Sequence, residues 1–291
     1  MQIDRLTRAI RERGNPSALG LDTRIEYVPE SLAKGCPSAP DAVYAFNSAL
    51  LEGLREIVPC VKVQSAYYEL MGPGGMSCMA RTIDEARRMG YVVIVDAKRG
   101  DIGATASAYS GAFLAPDAPF RGDFLTVNPY LGYDGVEPFV YDCKGTGAGI
   151  FVLVKTSNPS SGEFQDLLAA DGRPFYDHVA DKVSQWGEDL IGDEGYSAVA
   201  AVVGATYPKQ GAELRARMPH TFFLLPGYGA QGASARDLAG CFDKKGGGAI
   251  VAASRSIICA HQKNKNADFV SAARREALRM KEELSEVLRG R

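Results

Sequence analysis

A chain of 291 residues with 46% hydrophobic and 23% charged content can bury one sizeable core and sits near the upper limit for a single domain. Its 33 basic and 35 acidic side chains nearly cancel to a formal charge of -2, which excludes a broad basic surface for nucleic acid and confines any anion site to a local patch. The six cysteines, Cys36, Cys60, Cys78, Cys143, Cys241 and Cys259, are widely separated and form no Cys-x-x-Cys pair, so they read as reduced packing residues of a cytoplasmic protein.

In chain order, the opening MQIDRLTRAIRERG alternates charged and apolar residues at helical spacing and lacks the unbroken apolar run of a secretory signal, so it is expected to form a helix. Short β-rich apolar runs follow at 17–22, 60–64, 91–96, 123–128, 149–155, 197–204, 221–226 and 249–253, the pattern of strands buried on both faces. Segments of helical character lie between them, as at 41–57, 78–89, 175–191 and 234–242, and a long amphipathic helix over about 267–288 closes the chain. The longest apolar run, 198–205, is too short to span a bilayer, and no membrane association is expected.

Eight β/α units in a chain of this size predict a closed (β/α)8 TIM barrel, an α/β fold forming a single domain over 1–291 with extended βα loops. A doubly wound dinucleotide fold would place a Gly-rich fingerprint after the first strand, whereas GTGAG and KKGGG precede strands five and eight and read as turns. The polar stretch TSNPSSGEFQDLLAADGRP after strand five reads as an extended loop and a candidate lid.

Strand ends carry the chemistry, because in such a barrel the carboxyl ends converge on the catalytic face. Strand one ends Leu21-Asp22, strand two carries Lys62 and Gln64, and strand three runs into VVIVDAKRGDIGAT. Asp96 and Lys98, two apart on an extended segment, are expected to leave the same face. Burying Asp22, Lys62, Asp96, Lys98 and Asp101 together requires opposite signs to alternate in space, and a purely structural ion-pair network is the competing reading. The loops after strands seven and eight, LLPGYGAQGAS and VAASRSIICA, supply Gly227, Gly229, Gly232, Gln231 and Arg255 for a phosphate, unless the glycines serve only as turns and Arg255 as a surface ion pair.

These residues together resemble the orotidine 5'-phosphate decarboxylase family from the Asp22 strand to Arg255, most specifically through DAKRGDIGAT. The resemblance implies a homodimer of (β/α)8 barrels acting on a nucleotide with no metal and no organic cofactor. It assigns Asp22 and Lys62 to the ribose hydroxyls and the charge array, Asp96 and Lys98 to the substrate carboxylate, and Asp101 and Thr105 to the partner's site. It further assigns Ser157 to the pyrimidine amide edge and Gln231 and Arg255 to the phosphate, joined by Tyr228. The chain is longer than the compact members and is similar to the longer bacterial branch. Ala253-Ser254 stands where that family often has Val-Gly before the phosphate arginine. A metal-dependent phosphosugar lyase or isomerase of the same superfamily, and a non-catalytic nucleotide-binding barrel, are the alternatives. His178, His220, His261 and Trp186 are read as structural.

Overall fold

The structure, a computed structural model, describes residues 1–229, 232–263 and 268–290. Eight parallel strands, β1 (Ser17–Leu21), β2 (Cys60–Gln64), β3 (Val92–Arg99), β4 (Phe124–Val127), β5 (Gly149–Lys155), β6 (Ser197–Val203), β7 (Thr221–Pro226) and β8 (Ala249–Ala253), pair in sequence order, and β8 returns to β1 to close the barrel. The expected barrel is therefore present, and β2, β5, β7 and β8 carry the bounds read from the sequence.

The main departure is β3, which runs three residues past the expected Asp96. It pairs Ile94 with Phe124 and Val95 with Leu125, then Arg99 with Val127, so four steps along β3 match two along β4. A bulge of this kind re-aims the side chains inside it. Lys98 lies within it at φ 47°, the left-handed region, where no other non-glycine among the described residues is found.

Helices Ala39–Leu54, Gly72–Arg88, Gly103–Leu114, Tyr133–Thr146, Phe175–Trp186 and Pro208–Arg217 cover the outside, and Phe269–Arg289 closes the chain. Gly103–Leu114 is rich in small residues and shows no apolar stripe, and Tyr133–Thr146 carries Pro138. The helical segment expected over 234–242 is only a single turn, Ala235–Leu238, followed by a 3-10 turn. Where GTGAG and KKGGG were read as turns, Gly147, Gly246 and Gly248 adopt positive φ.

Alternation along the strands sends every second side chain into the barrel. Phe124, Phe151 and Phe222 share that inward side, with ring centroids 5.1 Å and 6.5 Å apart, and fill the lower interior. The helix Gln2–Arg13 closes the amino-terminal end, where Arg5 pairs with Asp123 at 3.2 Å and donates to the Tyr91 carbonyl at 2.8 Å. Among the described residues no helix is long and apolar enough to cross a membrane.

Candidate active site

Above the phenylalanine floor, a cavity of about 570 Å³ opens at the carboxyl ends of the strands, lined by Asp22, Lys62, Gln64, Asp96, Lys98, Thr126, Thr156, Ser157, Asn158, Gln165, Tyr228, Ser254 and Arg255 among others. A larger groove of about 850 Å³ lies at the opposite end, between the first and last helices. Two of the charged contacts there are internal to the wall, Arg11 with Glu194 at 2.9 Å and Lys281 with the Arg13 carbonyl at 2.7 Å. The reactive array belongs to the smaller cavity.

Lys62 and Gln64 both face inward because they are two residues apart on a regular strand. The Lys62 ammonium is 6% exposed and donates to Asp22 at 3.2 Å, Gln64 at 3.1 Å and Asp96 at 3.0 Å, which accounts for all three of its protons. Burial by itself would lower its pKa, but Asp22 and Asp96 outweigh that and hold it above the ordinary lysine range. Asp96 is held the other way: burial would raise it, but Lys62 and Lys98 keep it well below the usual carboxylate range. Both are charged at neutral pH.

Lys98 Nζ donates to the second oxygen of Asp96 at 2.6 Å, and its side chain is 46% exposed toward the cavity. The pair meets as expected, but not through plain strand alternation, since Lys98 is left-handed within the bulge. Its backbone N–H, displaced from the regular ladder, donates to Thr126 Oγ1 at 2.8 Å, and the Thr126 hydroxyl donates to Asp96 at 3.0 Å. Thr126 thus ties the backbone of one charged residue to the side chain of the other. It was missed in the sequence because a threonine in a strand is unremarkable by itself.

Ser157 and Arg255 line the same cavity, Arg255 with an exposed side chain at the start of a short helical turn. Ser254 before it fits because β1 offers Gly20 opposite: a Cβ on Gly20 would overlap Ser254 Oγ. Tyr228 reaches the cavity, and its hydroxyl is hydrogen-bonded to Glu283 of the last helix. Gln231 lies outside the described residues. Asp101 and Thr105 do not line this chain's cavity: Asp101 accepts from the Ile102 N–H at 2.8 Å and Thr105 is exposed. His178 pairs with Asp171 at 3.1 Å, His220 with the Gly195 carbonyl at 3.1 Å, and His261 packs beside Phe46 and Phe269; all three are away from the cavity lining. Trp186 packs against Tyr133 with ring centroids 5.6 Å apart. Among the described residues no group of three or more His, Cys, Asp or Glu side chains is placed to hold a metal ion.

Residues 44–269 match the model of the orotidine 5'-phosphate decarboxylase / HUMPS family. The chain belongs to this family. It is 43% identical to an orotidine 5'-phosphate decarboxylase of Rhodopirellula baltica, over 96% of this chain and 97% of the relative, and 39% identical to one of Clostridium novyi, over 97% and 98%. A crystal structure from Toxoplasma gondii, described as an orotidine-monophosphate decarboxylase, superposes with a TM-score of 0.83 at 31% identity, covering 99% of this chain and 96% of that one. The family resemblance read from DAKRGDIGAT thus extends over nearly the whole chain.

Proposed function

We propose that this cavity converts orotidine 5'-phosphate to uridine 5'-phosphate and CO2, the last step of UMP synthesis, with Lys98 as the proton donor. The enzyme is a carboxy-lyase of the family its sequence places it in. The observation that supports the site is the pairing of a buried, ionised Asp96 with a Lys98 ammonium half exposed to the same cavity. When the bond from C6 to the carboxylate breaks, its electron pair stays in the ring plane on C6, beyond the reach of the adjacent π system. Lys98 stabilises that charge and transfers a proton to C6, leaving product and a neutral amine that solvent reprotonates. Asp96 presses a like charge against the departing carboxylate, and the repulsion eases as CO2 leaves.

In the same reading Asp22 and Lys62 hold the ribose, Ser157 meets the amide edge of the pyrimidine, and Arg255 binds the phosphate, aided by Gln231 and Tyr228. Asp101 and Thr105 complete the site of a second copy in a homodimer. The chain acts as one barrel domain in the cytoplasm, without metal or organic cofactor. The metal-dependent lyase reading is disfavoured because both oxygens of Asp96 already accept from ammonium groups. Ultraviolet monitoring of orotidine 5'-phosphate in excess chelator tests substrate, reaction and cofactor independence together. Turnover abolished by chelation would favour the metal enzyme, and affinity without turnover would favour the binding module.

A further inference from the structure

We infer that Lys155, on the last position of β5, is a positioning residue that holds the loop after β5 in its working shape over the cavity. The inference rests on the reading that this cavity takes the nucleotide and that Ser157 meets its base. Lys155 is fully buried, yet it is a lysine. Its ammonium donates to Asp166 at 2.6 Å and to Ser161 Oγ at 3.3 Å, and it lies 4.5 Å from the ring centroid of Tyr207 and 5.4 Å from that of Tyr176. Asp166 and Ser161 both belong to the loop. Neither they nor Lys155 line the cavity, so the pair works behind the residues that do.

The loop is folded back on itself immediately beside this pair. Gln165, next to Asp166, accepts from the Thr156 N–H at 2.9 Å and donates to the Thr156 hydroxyl at 2.8 Å. That closure carries Thr156, Ser157, Asn158 and Gln165 to the cavity wall. On the other flank, Ser157 lies against Gly204, where a Cβ would come within 2.7 Å of the Ser157 backbone, and the Thr206 hydroxyl donates to the Ser157 carbonyl at 3.1 Å.

Apolar burial does little to hold this loop, because Phe164, Leu167 and Leu168 are 65%, 58% and 70% exposed. The buried ammonium supplies the restraint instead. A charge at that depth without a counter-ion is unfavourable, so every loop conformation that withdraws Asp166 leaves Lys155 with only the Ser161 hydroxyl and the tyrosine rings. The contact therefore biases the loop toward the shape that presents Ser157 and Gln165 before any ligand arrives.

A loosened loop lowers the fraction of enzyme competent to bind, which raises apparent KM by the inverse of that fraction, while saturating substrate restores the closed form and kcat. Asp166 is 43% exposed, so Asp166→Asn should leave the barrel intact. The expected result is a rise in KM for orotidine 5'-phosphate of about fivefold or more, kcat within about twofold of wild type, and faster proteolytic cutting between 156 and 173. Asp166→Glu, which keeps the charge, should return KM to within about twofold of wild type. Lys155→Met should show the same KM rise without the proteolytic protection that uridine 5'-phosphate gives the wild-type loop at low concentration. An unchanged KM in Asp166→Asn, a fall in kcat at constant KM, or no rescue by Asp166→Glu would each overturn the inference. Lys98→Ala run in parallel separates the two levels: if it retains turnover, the site itself is misassigned, whereas a dead Lys98→Ala beside a normal Asp166→Asn rejects the latch alone.

Discussion

The backbone N–H of Lys98 and the side-chain hydroxyl of Thr126 are 2.8 Å apart, and this single bond occupies the place where a regular β3–β4 ladder would have run. It allows Lys98 to rest at φ 47°, a conformation that costs a non-glycine residue about 1 kcal/mol or more. Thr126→Val keeps the shape and removes the hydroxyl, leaving the Lys98 N–H unpaired and Asp96 short of one donor. A hydrogen bond to a charged group is worth about 1.5–3 kcal/mol, so kcat/KM should fall by about 10- to 100-fold. Thr126→Ser should stay near wild type, and a valine variant with full activity would show that the bond does not position Lys98.

Lys98→Ala should fold normally, since the side chain is half exposed, and should lose decarboxylation to the detection limit of the ultraviolet assay. Circular dichroism and a melting curve close to wild type would show that the loss is chemical.

An inactive Lys98→Ala protein mixed with an inactive Asp101→Ala protein should regain activity if copies share sites. Random exchange makes half the dimers mixed, each with one intact site of two, so about a quarter of wild-type activity should return. No recovery after refolding the two together would place Asp101 in its own chain's chemistry or outside it.

Acid should reveal Asp96. Its folded pKa lies below the ordinary 3.8, so in acid the native state holds fewer protons than the unfolded chain. Its stabilisation is complete above that value and is lost as pH falls toward the folded pKa. The loss begins near pH 3.8 and steepens below it toward the one-proton limit of about 1.4 kcal/mol per pH unit. Lys62 behaves oppositely: raised above 10.5, it contributes fully below that value and fades only as pH climbs through its folded pKa. Denaturant titrations should therefore show Asp96→Asn well below wild type in stability at pH 6, with the gap narrowing toward pH 3. A gap that stays constant would contradict the charge pairing.

Gly20→Ala should destabilise the protein by about 1–3 kcal/mol, because the added methyl meets Ser254 Oγ. Adding Ser254→Gly to it should recover most of the loss, a coupling read from four melting curves. Independent effects of the two changes would remove the steric explanation.

The barrel was legible because strands buried on both faces read as continuous apolar runs, and the charged residues that interrupt them stand out. Lys62, Asp96 and Lys98 were visible for that reason. The bulge was not, since nothing in DAKRG marks a register shift, and so the reason Asp96 and Lys98 meet was misread while their meeting was not. The helix Gly103–Leu114 was not singled out because its small residues give no periodic stripe. Lys155 was not singled out, because its burial depends on Asp166 eleven positions onward, a contact that pattern reasoning cannot see. Ser254 looked like a departure until Gly20, on a strand at the far end of the chain, proved to make its room.

Asp22, Lys62, Asp96 and Lys98 sum to no formal charge, while Arg255 stands across the same cavity with its side chain exposed. A ligand carrying an anion at each end would therefore feel little pull from the neutral cluster at a distance and a clear pull from the arginine. Under the proposed assignment of Arg255 to the phosphate, the cavity has a loading direction: the phosphate docks first and the carboxylate is swung in afterwards, so a molecule entering backwards is not steered by the arginine.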